Sequence, residues 1–389
     1  MKILIVLESY DGASNGNTIS ARTLADRLKA RGHEVRIAAA GESREDKWGF
    51  GEFHLPFFDH LVQAQGFTFG RPDKRKMEEA VLWADVIHVM MPFPLGKQAV
   101  ILAKKHNVPC TGAFHIQPEN IWFSVGLGDC MPLINFTYWF AKRYIFRHFS
   151  IIHCPSRMIA NMLGEHHYKA EKRVISNGIP PMFHYNKIEK SSEFAGKILI
   201  VMTARLSREK KQNVLIEAIR KSRYSEKIQL VLAGKGPMKE EYEKEGSSLP
   251  NPVIMKFLPR EELLKLLWQA DLYAHSSDID IEPISCMEAI ASGLVPVISD
   301  SKRSGAPQFA LDERSLFKSG DSADFARKID WWIEHEDERK RMEHVYAEEA
   351  KKYALEPCIN QMLDMFADDM RRCGRKVPEP SELYGRDSV

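Results

Sequence analysis

Asp280 and Glu288 bracket seven residues in an acid-rich loop that runs into a helix and then an apolar strand, Asp-Ile-Asp-Ile-Glu-Pro-Ile-Ser-Cys-Met-Glu-Ala-Ile-Ala-Ser-Gly-Leu-Val-Pro-Val-Ile over 278–298. Two carboxylates, one before a helix and one inside it, can accept hydrogen bonds from paired hydroxyls. The helix opens at Ile284 and Ser285, where unpaired N–H groups and the positive dipole end favour an anion. Such a set suits a phosphorylated sugar, although capping alone also places acids there. Arg205 and Lys210 stand five apart across a turn in Ala-Arg-Leu-Ser-Arg-Glu-Lys and could neutralise a diphosphate, one as a planar fork and the other as a point charge. Gly234, in Gly-Lys-Gly-Pro, lets the chain pass close to a ligand. The backbone of Phe257 and Leu258 could read the edge of a base. His115 closes an apolar run before Ile-Gln-Pro-Glu-Asn; it is the residue type that acts as acid, base or donor near neutral pH, although a lone histidine is more often structural. Gly16 lies in a Gly/Asn/Ser loop, Tyr10–Thr18, that does not spell a dinucleotide fingerprint.

These residues need strand ends to carry them, and the pattern supplies strands. Lys2–Leu7, Glu34–Ala40, Val86–Met90, Cys110–His115 and Ser150–Pro155 are short apolar runs separated by helical spacings such as Thr18–Ala30 and Lys74–Trp83. The alternation restarts at Lys197–Ala204 and continues through Ile228–Gly234, Val253–Phe257 and Leu272–Ser276. This predicts two doubly wound parallel-sheet halves with a cleft between them: residues 1–182 and 183–354, joined through the polar 186–196 stretch. An amphipathic helix at 355–372 is expected to pack back on the first half, and 373–389 reads as a flexible tail.

A chain of 389 residues with 44% hydrophobic and 28% charged residues is globular, with room for two cores. No apolar run approaches a membrane span and the N-terminus reads as a strand, so a cytoplasmic protein is expected. Six scattered cysteines give no zinc or disulfide pattern. A net charge of +2 leaves any attraction to anionic surfaces to local patches and gives no pull toward nucleic acid. One such patch is 136–149, Phe-Thr-Tyr-Trp-Phe-Ala-Lys-Arg-Tyr-Ile-Phe-Arg-His-Phe, which suits a membrane interface; its aromatics are spread round the helical wheel, so a core helix fits equally.

Taken in order, Val-Met-Thr-Ala-Arg-Leu-Ser-Arg-Glu-Lys, Leu-Val-Leu-Ala-Gly-Lys-Gly-Pro, Phe-Leu-Pro-Arg-Glu-Glu-Leu and Met-Glu-Ala-Ile-Ala-Ser-Gly-Leu-Val-Pro-Val-Ile resemble the C-terminal half of glycosyltransferase family 4, retaining GT-B transferases. Leu-Ala-Asp-Arg-Leu-Lys-Ala-Arg-Gly-His-Glu-Val and Val-Ile-Ser-Asn-Gly-Ile-Pro extend the likeness to the N-terminal half. The resemblance implies a GT-B fold, an acceptor-side first domain and a donor-binding second domain. It implies metal-independent transfer of a hexose, glucose or galactose, from a nucleotide diphosphate sugar, UDP-hexose, with no other cofactor and with retention of configuration. Arg205 and Lys210 would hold the donor diphosphate, Glu288 the ribose hydroxyls, and Asp280 the transferred sugar. In place of the usual Gly-Phe-Gly-Leu the chain has Ile281-Glu282-Pro283-Ile284; Pro283 has no N–H to give, so Glu282 is an alternative sugar contact. His115 would lie near the reacting sugar and Gly16 near the phosphates. The Asp-Ile-Glu-Pro-Ile-Ser-Cys-Met-Glu-Ala stretch is similar to bacterial lipid glycosyltransferases. It implies a lipid acceptor such as diacylglycerol and peripheral attachment to the cytoplasmic membrane face. The alternatives are a soluble or cell-envelope polysaccharide acceptor, or a nucleotide-sugar-binding protein with impaired catalysis.

Overall fold

The computed structural model describes residues 1–11, 16–53 and 68–385. Runs such as Ile3-Leu-Ile-Val have no polar face to offer water, so they sit at the centre of a sheet covered on both sides. The chain divides into two compact units, Met1–Asn177 with Glu356–Val389, and Gly178–Leu355.

The first unit holds a seven-stranded sheet built from β1 (Lys2–Val6), β2 (Glu34–Ala40), β3 (Lys47–Phe50), β6 (Val86–Val89), β7 (Cys110–Ala113), β8 (Ile151–Cys154) and β9 (Glu171–Val174). Between β3 and β6, β4 (Glu52–Phe53) and β5 (Phe69–Gly70) make a small antiparallel pair. The large sheet is parallel in the order β3-β2-β1-β6-β7-β8-β9, with Ile5 opposite Ile37 on one side and His88 on the other. The order reverses between β1 and β6, which makes that crevice the place where such a sheet accepts ligands. The C-terminal helix Leu355–Arg372 closes this unit: Met362, Leu363 and Phe366 are buried, and the Asp369 carboxylate accepts from the Cys110 N–H at 2.7 Å. Beyond it the expected loose tail is docked as far as it is described. Pro380–Tyr384 is helical, Leu383 is buried, and its carbonyl lies 2.9 Å from His33 Nε2.

The second unit has β10 (Ile198–Thr203), β11 (Ile228–Ala233), β12 (Ile254–Lys256), β13 (Leu272–His275), β14 (Pro296–Ser299) and β15 (Leu316–Phe317), parallel in the order β12-β11-β10-β13-β14-β15. Its reversal lies between β10 and β13. The 186–196 stretch does not stand free between domains. Phe183 and Phe194 are buried in the second core, Lys190 pairs with Asp271 and the Ile188 N–H reaches the Trp268 carbonyl at 3.2 Å. The unit therefore begins at Gly178. No helix among the described residues is long and apolar enough to cross a membrane.

Candidate active site

Strand ends at the β10–β13 reversal carry the cationic and acidic groups. Lys210 follows β10 and Asp280 follows β13, and their side chains meet, Nζ to Oδ2 at 2.6 Å, with both largely buried. His275, the last residue of β13, places Nε2 3.6 Å from the same oxygen. Burial opposes the Asp280 charge, but Lys210 and His275 outweigh it and hold the carboxyl well below the ordinary range. Burial likewise lowers the His275 imidazole, against the pull of Asp280. The two loops are also tied through their backbones, Ser276 Oγ to the Lys210 carbonyl at 2.8 Å and the Asp278 N–H to the Glu209 carbonyl at 2.9 Å. Asp280 is thus engaged by Lys210. Arg205 stands apart from the pair: it is exposed, its carbonyl accepts from Gln212 Nε2 at 2.8 Å, and its guanidinium is in no ion pair with a described residue.

Ile284 and Ser285 open the helix Ile284–Ala291, as expected. The Ser285 hydroxyl oxygen accepts from the Tyr273 hydroxyl at 3.2 Å. One turn on, Glu288 is buried, and Arg260 Nη2 lies 3.0 Å from its Oε1. Burial raises the Glu288 carboxyl and Arg260 works to keep it ionised. Asp280 and Glu288 therefore sit in separate ion pairs, and Glu282 is buried between them in the chain. Phe257 is exposed with Lys235 Nζ 4.6 Å from its ring centre, and Leu258 packs on the core.

Gly234 has a reason that lies in the protein itself. A Cβ there would fall 1.9 Å from the Ala204 carbonyl oxygen, so the loop after β11 can pass the loop after β10 only as glycine. Gly16 is different: it begins the helix Gly16–Ala30, and a Cβ on it would meet no atom within 4 Å. Residues 12–15 of its loop lie outside the described residues.

In the first unit His115 follows β7 and is buried, with Nε2 lacking a hydrogen-bond partner among the described residues. His153 of β8 meets it edge-on at 5.3 Å, and His88 of β6 lies 5.7 Å from His153. His153 Nε2 is 2.7 Å from the Ile175 carbonyl, and His88 Nδ1 is 2.9 Å from the Thr111 hydroxyl. Burial brings His115 down to about 3 and His153 to about 4, and lowers His88 well below its usual value. His115 is therefore neutral near pH 7, able to donate or accept a hydrogen bond but not to serve as a cationic acid. The opposite shift occurs at Glu8, which follows β1 at the β1–β6 reversal. Its buried carboxylate accepts from Gly70 N–H (2.7 Å) and Leu95 N–H (3.1 Å), and burial raises it to about 7.

These shifts have a sign. Above about pH 6.5 the three imidazoles are neutral folded or unfolded; below it only the unfolded chain takes up protons, down to about pH 4. Each histidine then removes about 1.4 kcal/mol of stability per pH unit. Glu8 acts oppositely between about pH 7 and 4.5, but it is one group against three. Melting temperature followed by circular dichroism is expected to fall steadily from about pH 6.5 to 5; a flat profile would show that the histidines are not held neutral.

Residues missed on the sequence are His275, Arg260 and Glu8. Arg260 was visible in Phe-Leu-Pro-Arg-Glu-Glu-Leu, whereas nothing local marks the other two. No group of three or more His, Cys, Asp or Glu among the described residues could hold a metal ion.

Residues 185–351 match the family described as glycosyl transferases group 1, and residues 14–183 match glycosyltransferase family 4. An alpha-monoglucosyldiacylglycerol synthase of Streptococcus pneumoniae is 25% identical over 321 residues, covering 77% of this chain and 71% of the relative. A GDP-mannose-dependent alpha-mannosyltransferase of Corynebacterium glutamicum is 25% identical, covering 95% of this chain and 89% of the relative. Among solved structures, Anabaena HepE in complex with UDP superposes with a TM-score of 0.74 at 17% identity, covering 95% of this chain and 100% of that one. The fold of the chain is therefore GT-B, two parallel-sheet α/β domains.

Proposed function

Because this chain belongs to the glycosyltransferases of group 1 and family 4, we propose that it moves a hexose, glucose or galactose, from a UDP-hexose to the hydroxyl of a membrane lipid such as diacylglycerol. The observation that carries the donor half is Lys210 at the β10–β13 reversal, with exposed Arg205 on the same loop. These cations and the N-terminus of Ile284–Ala291 balance the diphosphate without a metal and stabilise the leaving nucleotide as its charge develops. Glu288 takes the ribose hydroxyls, the backbone at Phe257 and Leu258 takes the base, and Asp280 or Glu282 faces the sugar. His115, held neutral, donates or accepts a hydrogen bond near the reacting carbon, and Gly16 lets its loop approach the phosphates. The anomeric configuration is retained.

The lipid half draws on the S. pneumoniae relative, whose name is that of a diacylglycerol-modifying enzyme. An enzyme of this kind works at the membrane surface, on its cytoplasmic face. A second reading, a GDP-mannose donor, is favoured by the name of the C. glutamicum relative.

The test is to offer UDP-glucose, UDP-galactose and GDP-mannose separately with a membrane lipid extract and follow products by mass spectrometry. One hexose added to diacylglycerol from a UDP donor is expected, in the donor's own anomeric configuration by NMR. Product from GDP-mannose alone would favour the second reading. Consumption of donor without any lipid product would overturn the lipid acceptor.

A further inference from the structure

The outer face of the helix Met131–Tyr144 carries side chains that a solvated helix does not. Phe136, Trp139 and Phe140 are 56%, 52% and 49% exposed, and Met131 at the start of the same face is 56% exposed. At 3.6 residues per turn these positions fall within one half of the helix, together with Asn135 and Arg143. The other half already has its partners: Ile134 and Tyr138 are buried, Tyr138 stacks on His166 at 3.9 Å, and its hydroxyl donates to Glu119 at 3.0 Å. The helix is apolar on both faces, and only one is covered within the first unit. The exposed rings form a continuous cluster, with Phe136 5.7 Å from Trp139 and 6.3 Å from Phe140, which lies 5.4 Å from Tyr144.

Charge says what covers them. From Cys130 to Gly164 there is no Asp or Glu, while Lys142, Arg143, Arg147 and Arg157 fall in the same stretch. Arg143 and Arg147 are exposed and form no ion pair with a described residue. The chain as a whole is only +2, so this excess is local. Clustered Phe and Trp beside arginines that form no ion pair with a described residue match the boundary of an anionic bilayer, where rings settle at headgroup depth and guanidinium groups meet phosphate.

We propose that this face docks the protein on an anionic lipid bilayer, with Phe136, Trp139 and Phe140 entering the headgroup boundary and Arg143 and Arg147 contacting lipid phosphates. The purpose assigned to it rests on the lipid-acceptor reading above, and its test is separate. The full chain is sedimented with vesicles of phosphatidylglycerol and phosphatidylcholine, alongside a Phe136→Ser/Trp139→Ser/Phe140→Ser variant and an Arg143→Gln/Arg147→Gln variant. Loss of the rings is expected to lower vesicle binding about tenfold or more. Loss of the arginines is expected to lower it less, by an amount that disappears at high salt. UDP binding by calorimetry and transfer to detergent-dispersed lipid should persist in both. The proposal is overturned if the wild type ignores the vesicles, or if the triple variant binds them equally well. It is also overturned if the rings instead hold a dimer, seen by ultracentrifugation, whose loss leaves vesicle binding unchanged. Glycosylation of lipid with docking unaffected by the variants would sink this surface and leave the acceptor reading standing. Docking that depends on the rings, with no lipid accepting sugar, would do the reverse.

Discussion

Lys210→Met is expected to lower the unfolding free energy by about 3–5 kcal/mol, because it strands Asp280 as a buried carboxylate without its counter-charge. The two groups are 2.6 Å apart and each side chain is less than one-fifth exposed. Water therefore screens the pair poorly and cannot replace either partner cheaply. His275, 3.6 Å from the same oxygen, can take up a proton and recover part of the loss, which places the expected value toward the lower end. Adding Asp280→Asn to Lys210→Met should restore most of the stability, since the double variant buries no lone charge. Urea unfolding of the four proteins, analysed as a double-mutant cycle, measures the coupling. Single and double variants that all lie within 0.5 kcal/mol, about the ordinary scatter for independent sites, would show the pair to be ornamental.

Glu288→Gln should act on catalysis and leave the fold intact. Glutamine fills the same volume and can still accept from Arg260, so stability should change little. What is lost, on the role proposed for Glu288, is the anionic acceptor for paired hydroxyls. A hydrogen bond to a charged group is worth about 1.5–3 kcal/mol, so kcat/KM for the donor should drop about 10- to 150-fold. Steady-state kinetics with calorimetric titration of UDP separates the cases. A change below about threefold would mean that Glu288 serves Arg260 and not the donor.

Both expectations turn on contacts that a linear reading reaches unequally. Ile228–Ala233 is apolar but for Gln229 and is buried throughout, so the apolar run and the tertiary structure agree. Lys47–Phe50 escaped because its first residue is a lysine, yet that lysine is buried, with Nζ on Asp11 and on the Ala40 carbonyl at 2.7 Å. The two-residue β15 is too short to carry any pattern. Polar residues at 186–196 resemble a linker until Phe183 and Phe194 are seen in the core. On the wheel, the helix Met131–Tyr144 fitted a core helix as well as a surface one. Hydrophobicity marks both its faces, and only packing reveals which one lacks a neighbour. The Lys210–Asp280 pair joins residues 70 apart in sequence, and nothing local links them.

The chain enters the second unit at Gly178 and leaves it at Leu355, and the two crossings run side by side. The Ile179 N–H reaches the Tyr353 carbonyl at 2.7 Å, and the Leu355 N–H returns to the Ile179 carbonyl at 3.0 Å. The second unit is thus a closed excursion from the first, and this orders events on the ribosome. Residues 178–355 can emerge and complete their own core while the first unit still lacks the helix that supplies Met362, Leu363 and Phe366. The half made first is finished last, and throughout translation of the second half its exposed seam is a natural target for chaperones.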